Sequence, residues 1–202
     1  RYPLWHVQGY ELIHSSLDEL TRAPIWYSHH GLIDSCDIQG IKILRECSDT
    51  IVSNCQVQSP EFGWFCQDIS IKDSEIHSEY MLLHSQHVKI DHLKFTGKYS
   101  FQYMHDLEIT NSYLDTKDAF WHSSNVIVKD SVVKGEYLGW FSKNVTFINC
   151  QIIGTQPLCY CENLKLIDCE MIDCDLAFEY SDVQATIKGH VDSIKNVKSG
   201  TI

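Results

Sequence analysis

The sequence contains no apolar run approaching the roughly 18 to 20 residues needed to cross a bilayer, so no membrane-spanning helix is expected. Basic side chains are scarce: 16 Lys and Arg stand against 27 Asp and Glu, a formal charge of −11. A phosphate-backbone partner calls for a basic stripe, and without one nucleic acid is not an expected ligand. No linker, low-complexity stretch or charge block divides the 202 residues, which suffice for a continuous core, so a single domain over 1–202 is expected. Helical periodicity is missing too, which excludes an ankyrin array. The leucine and asparagine spacing of a leucine-rich repeat is equally absent.

What the sequence does contain is a repeat of about nineteen residues running almost from end to end, the mark of a solenoid. Val145 to Ile152 answers Val126 to Val133 one repeat earlier. One column of the alignment reads Ile33, Val52, Ile71, Ile90, Ile109, Val128, Phe147 and Leu166. A second reads Ile38, Val57, Ile76, Phe95, Leu114, Val133, Ile152 and Met171. The residues preceding the first column, Leu32, Ile51, Ser70, Lys89, Glu108, Ile127, Thr146 and Lys165, are mixed, which is the alternation of strands with one buried face.

Three further features mark corners. Small residues recur at Cys36, Cys55, Ser74, Ser112, Ser131, Cys150 and Cys169, with Leu93 the exception. Turn-tolerant polar residues form two columns, Ser35 to Asp168 and His30 to Asp182, and Gly40, Gly97, Gly135 and Gly154 punctuate a third corner. Three short faces per coil follow, stacked as about ten parallel coils in a rod on the order of 45 to 50 Å long. The expected fold is all-β, a single-stranded right-handed parallel β-helix, because the strict hexapeptide period of the left-handed form is missing. Regular coils are expected over 1–182 and an irregular C-terminal cap over 183–202. Arg1 to His6 already reads as a strand, so further coils before it, or another molecule over the open end, are expected.

Seven of the nine cysteines fall in small-residue columns, Cys36, Cys55, Cys150 and Cys169 in one and Cys47, Cys66 and Cys161 in another, where thiols pack as small hydrophobes. An odd count with no visible signal peptide points to reduced thiols in a cytoplasmic protein. Cys159 and Cys161 have no second pair at matching spacing, so no metal site is expected. No cofactor is expected either.

Several stretches have a more specific character: Tyr99 to Tyr103, Thr110 to His122, Gly154 to Cys161 and Asp173 to Asp182. They resemble the bacterial domain-of-unknown-function family 3737, and the resemblance covers the whole chain. It implies a single-stranded right-handed parallel β-helix with further coils upstream. It carries no activity and no catalytic residue.

One candidate functional feature is a stripe with an aromatic or ionisable residue in every coil: His6, Tyr27, Glu46, Phe65, His84, Tyr103, His122, Phe141, Tyr160 and Glu179. Beside it run Trp5, Trp26, Arg45, Trp64, Leu83, Gln102, Trp121, Trp140, Cys159 and Phe178. Strand alternation sends one of these columns outwards. The expected ligand-binding residues are Tyr103, His84, His122, Trp121, Trp140, Phe141 and Gln102, facing a carbohydrate or a protein. The competing reading is that the rings stack only on each other. Self-association through an open coil end or the stripe is a further expectation.

Catalytic candidates are few. Histidine is a residue type suited to general acid or base work, but His84 and His122 lie two coils apart, roughly 9.6 Å, too far to share a metal ion. His87 and Asp106 are closer, yet two ligands are not a site. Asp115 and Asp118, beside Lys117, are the nearest pair to the two carboxylates of a glycoside hydrolase, which sit about 5 to 9 Å apart. Arg45 is the one arginine in the stripes and has no acidic cluster around it. The expectation is a non-catalytic binding or scaffold protein. The alternative is a carbohydrate-active enzyme, a polysaccharide lyase or glycoside hydrolase, on the same face. An enzyme needs two ionisable groups facing one cavity, and a scaffold shows a flat stripe.

Overall fold

Residues 2–202 are described by the computed structural model, in which every strand pairing is parallel and no helix occurs among the described residues. A typical coil has three segments. A six-residue strand, His105–Thr110, is followed by a second strand, Tyr113–Lys117, and then by an irregular segment over 118–123. The next coil repeats this with Ser124–Lys129 and Val132–Lys134, and the register advances by nineteen: His105 pairs with Ser124, and Ser124 with Lys143. Both apolar columns are buried throughout, from Ile33 to Leu166 and from Ile38 to Met171. A strand with one face in the lumen must alternate, and the residues between, such as Ile51, Lys89 and Ile127, are exposed.

The corners are made by left-handed backbone, which Asn, Asp and His tolerate better than other non-glycine residues. His87, Asp106, Asn125 and Asn144 have φ of 52°, 56°, 56° and 52°. Their side chains run up the rod as a hydrogen-bonded ladder: the Asn125 amide donates to Asp106 Oδ1 at 2.8 Å, Asn144 to Asn125 at 3.0 Å and Asn163 to Asn144 at 2.9 Å. At the other polar corner, Asp91 accepts from Thr110 and Asn111, bonds that hold its carboxyl down to about 2.

The small-residue columns do more than save space. Cys66 Sγ donates to Leu44 O at 3.3 Å, Ser85 Oγ to Gly63 O at 2.7 Å and Ser123 Oγ to Phe101 O at 2.6 Å, each reaching the carbonyl 22 residues earlier. Thiol and hydroxyl therefore exchange in one column because both are small donors. All nine cysteines are buried and unbonded to one another. Cys161 aims its sulfur at Gly139 O and Cys159 at Gln156 O.

Two details differ from the sequence-based expectation. The coil ending at Ser181 has an extra residue at its corner, since Cys161 N donates to Ser181 Oγ twenty positions on. Tyr180 and Glu179, rather than Glu179 and Phe178, therefore continue the two stripes, and Phe178 turns into the core. In the segment after 182 the stack continues over two strands, while 189–198 is irregular as expected, apart from a bridge between Ala177 and Ile194. Asp182–Lys188 pairs with Glu162–Ile172, and Ser199–Thr201 pairs in turn with residues 182–184. The nineteen-residue alignment loses both because insertions and shortened coils break its phase.

Candidate functional site

The expected stripe exists as a ladder of rings. Phe65, His84, Tyr103, His122, Phe141, Tyr160 and Tyr180 stack in sequence, with centroid separations of 5.4, 4.5, 5.1, 5.0, 4.9 and 6.1 Å. Every one of these residues has left-handed backbone, from φ 52° at Tyr180 to 60° at Phe141 and Tyr160. The corner carrying them is a left-handed pair separated by one residue, as in Phe101 and Tyr103 or Phe120 and His122. The first member of each pair turns into the core and the second turns to the surface. Two-residue strand alternation does not apply there, so the neighbouring column is not sent inwards. Trp64, Gln102, Trp121 and Trp140 are half-buried beside the ladder.

This second column is a set of staples. Trp64 Nε1 donates to Tyr80 O at 3.2 Å, Gln102 Nε2 to Asp118 O at 2.8 Å, Trp121 Nε1 to Tyr137 O at 2.6 Å and Trp140 Nε1 to Gln156 O at 2.8 Å. Each bond spans sixteen residues and ties one coil to the next. In the outer ladder the interplanar angles, 4° to 13°, close each interior ring face against its neighbours. Tyr103 and Phe141 are exposed along their edges. A sugar stacks on a ring face, and the interior faces of this run are closed.

Tyr103 allows the ladder to be weighed against its backbone. Tyr103→Ala removes two stacked pairs and is expected to cost about 1–3 kcal/mol. Tyr103→Gly loses the same pairs but relieves the left-handed backbone, and is expected to be about 1 kcal/mol more stable than the alanine variant. Denaturant midpoints check this order. Alanine matching or exceeding glycine would refute it.

The catalytic candidates do not converge. His84 and His122 are rungs on either side of Tyr103. Asp115 is half-buried on its strand and paired with Lys134 at 3.1 Å. Asp118 lies in the corner, buried, with its Oδ1 lacking a hydrogen-bond partner among the described residues. Burial pushes its carboxyl up, against the pull of Lys117, which is itself paired with Glu136 at 3.1 Å. No group of three His, Cys, Asp or Glu is placed to hold a metal ion among the described residues.

An open trough of about 780 Å³ lies elsewhere, on the outward face of the long strands. Its floor is the mixed column, Ile51, Ser70, Lys89, Glu108, Ile127 and Thr146, six successive coils. Along one side runs the polar corner, where His87 stands between Asp68 at 3.3 Å and Asp106 at 3.4 Å. The signal in the sequence was the pair of exposed isoleucines, Ile51 and Ile127, among the polar residues Ser70, Lys89, Glu108 and Thr146 of the outward column.

Parallel pairing of every coil, an apolar lumen and side-chain ladders at the corners define a parallel β-solenoid. The pneumococcal surface adhesin PfbA, of Streptococcus pneumoniae, shares this fold with a TM-score of 0.58 at 12% identity, over 89% of this chain and 63% of that one. This chain thus spans less than two thirds of that structure. A lower TM-score of 0.32, at 9% identity, relates it to the A-module of the Azotobacter vinelandii mannuronan C-5 epimerase AlgE4, over 96% of this chain and 87% of that one. No curated protein matches the sequence. The chain belongs to the family described as protein of unknown function (DUF3737), whose model matches residues 1–202.

Proposed function

We propose that this protein is a non-catalytic binding protein that holds an elongated, neutral oligosaccharide along the trough. The observation that carries this reading is a continuous depression crossing six coils, with apolar floor positions at Ile51 and Ile127 and a wall of fixed hydrogen-bonding groups. Apolar patches suit the faces of sugar rings. Asp68, Asp106 and Asn125 suit their hydroxyls, and the ladder fixes these groups before binding, which lowers the ordering cost. The net charge of −11 disfavours an acidic polysaccharide. The stripe is the weaker surface for this ligand because its interior ring faces are closed. That the same fold supports a surface adhesin is an analogy of architecture.

A glycan array with thermal shift tests the reading on three proteins: the parent, Asp106→Gly with Asn125→Gly, and His84→Ala with Tyr103→Ala and His122→Ala. Glycine keeps the left-handed corner while removing the side chain. A hit lost in the trough variant and kept in the ladder variant is expected. A hit lost only in the ladder variant would move the site to the stripe, and no hit would favour a protein partner.

The enzyme reading draws support from one feature, His87 between two carboxylates in the trough. Imidazole is a side chain that can accept and donate a proton, and this ring stands within reach of two carboxylates. If it is an enzyme, a bound oligosaccharide is turned over by the parent and not by His87→Asn. Unchanged oligosaccharide after incubation with the parent would leave binding alone.

A further inference from the structure

The aromatic ladder has one missing rung. His6 stacks on Tyr27 at 4.8 Å and Phe65 on His84 at 5.4 Å, but Glu46 stands between Tyr27 and Phe65. Those two rings are two coils apart, roughly 9.6 Å by strand spacing, twice the separation of neighbouring rungs. The Glu46 carboxylate is drawn aside: Oε1 accepts from Trp26 Nε1 at 3.3 Å and lies 3.9 Å from Arg45 Nε. Oε2 has no hydrogen-bond partner among the described residues. An open cavity of about 570 Å³ results, lined by Tyr27, Glu46 and Phe65 with His29, Ser48 and Gln67 at its side.

The molecule itself shows what fills such a space. His84 is sandwiched between Phe65 and Tyr103, and His122 between Tyr103 and Phe141, all within 4.5–5.4 Å. One column over, the Arg45 guanidinium sits between Trp26 and Trp64, 5.3 and 5.0 Å from their centroids. Flat nitrogen-bearing groups are thus the fillers between rings in this rod. The Arg45 guanidinium also lies over the Phe65 ring at 5.5 Å, which disfavours a second cation against that ring. Glu61 takes an Arg45 N–H at 3.1 Å, so Glu46 keeps an oxygen as an acceptor for an N–H donor.

We infer that the gap between Tyr27 and Phe65 is a binding site for a neutral, flat, imidazole-type ring, which stacks between the two ring faces and donates its N–H to Glu46. The site lies across the Asp, His and Asn corner from the trough and does not depend on the trough's ligand.

The test uses 4-methylimidazole at about pH 8.5, where the ring is neutral. Saturation-transfer NMR is read on the parent, Glu46→His, Phe65→Ala and His87→Asn. The parent and His87→Asn are expected to give equal transfer. Phe65→Ala is expected to lose it, having only one ring face left. Glu46→His supplies the missing rung from the chain, so it is expected to lose the signal and to gain about 2–4 °C in thermal midpoint. If Phe65→Ala fails to fold, the Glu46→His comparison decides alone. Equal transfer in Glu46→His and the parent, or none in the parent, would overturn the site.

Discussion

Replacing Phe120 by alanine is expected to cost about 3–5 kcal/mol, the ordinary range for truncating a buried phenylalanine. Phe120 is fully buried at the inner member of its corner pair. It stacks on Phe101 at 5.3 Å and meets Phe147 edge-on at 6.2 Å, so alanine empties the lumen across three coils. Nothing nearby can close the hole, because the backbone ladders on every side fix the coil outline. Phe120→Leu is expected to cost less than about 1.5 kcal/mol. Leu44, Leu82 and Leu158 occupy the same position in other coils with the same left-handed backbone, so the site accepts that shape. Contacts in a solenoid run only between adjacent coils, and a weak layer in the middle uncouples the two ends. Denaturant unfolding of Phe120→Ala is therefore expected to broaden or split in two. A single transition with the same loss for alanine as for leucine would show that the lumen is not packed as described.

The second large effect is expected at Gly97. A Cβ built there overlaps the carbonyl oxygen of Ser78 in the preceding coil and lies 2.6 Å from the Phe95 ring. The obstacle is backbone, pinned by the pairing of Ser78 with Gly97, so no side-chain rotation relieves it. Gly97 is not in the left-handed region, so the cost is steric. Gly97→Ala is expected to lose about 3 kcal/mol or more. Gly9 provides the contrast: its φ of 70° taxes an alanine, but nothing lies within 4 Å of the added methyl. Gly9→Ala should lose only about 1–2 kcal/mol from torsion. Midpoints measured side by side check the order, and a Gly97 variant no worse than the Gly9 variant would refute the close approach of the two coils.

These predictions share a cause with the binding proposals. A rod whose corners are locked by left-handed residues, carbonyl-bonded thiols and hydroxyls, and indole staples presents its surface groups at fixed spacing. The trough and the vacant rung are then preformed, and ligand affinity is not spent on ordering them.

The sequence by itself determined the period, the parallel stacking and the inward columns from Ile33 to Leu166 and Ile38 to Met171. In a stack with one coil per repeat, a residue's neighbours above and below are simply the residues about nineteen positions away. The Asp, Asn and His corners were legible for a local reason: those side chains tolerate left-handed backbone. Only the tertiary structure decided which way the stripes point, because a left-handed pair separated by one residue breaks the alternation of a strand. It also decided that the ring faces of Tyr103 and its neighbours close on each other, that Trp121 and Trp140 act as staples, and that Tyr180 rather than Glu179 ends the ladder. Those outcomes depend on side-chain direction and on a one-residue insertion, neither of which a repeat alignment encodes.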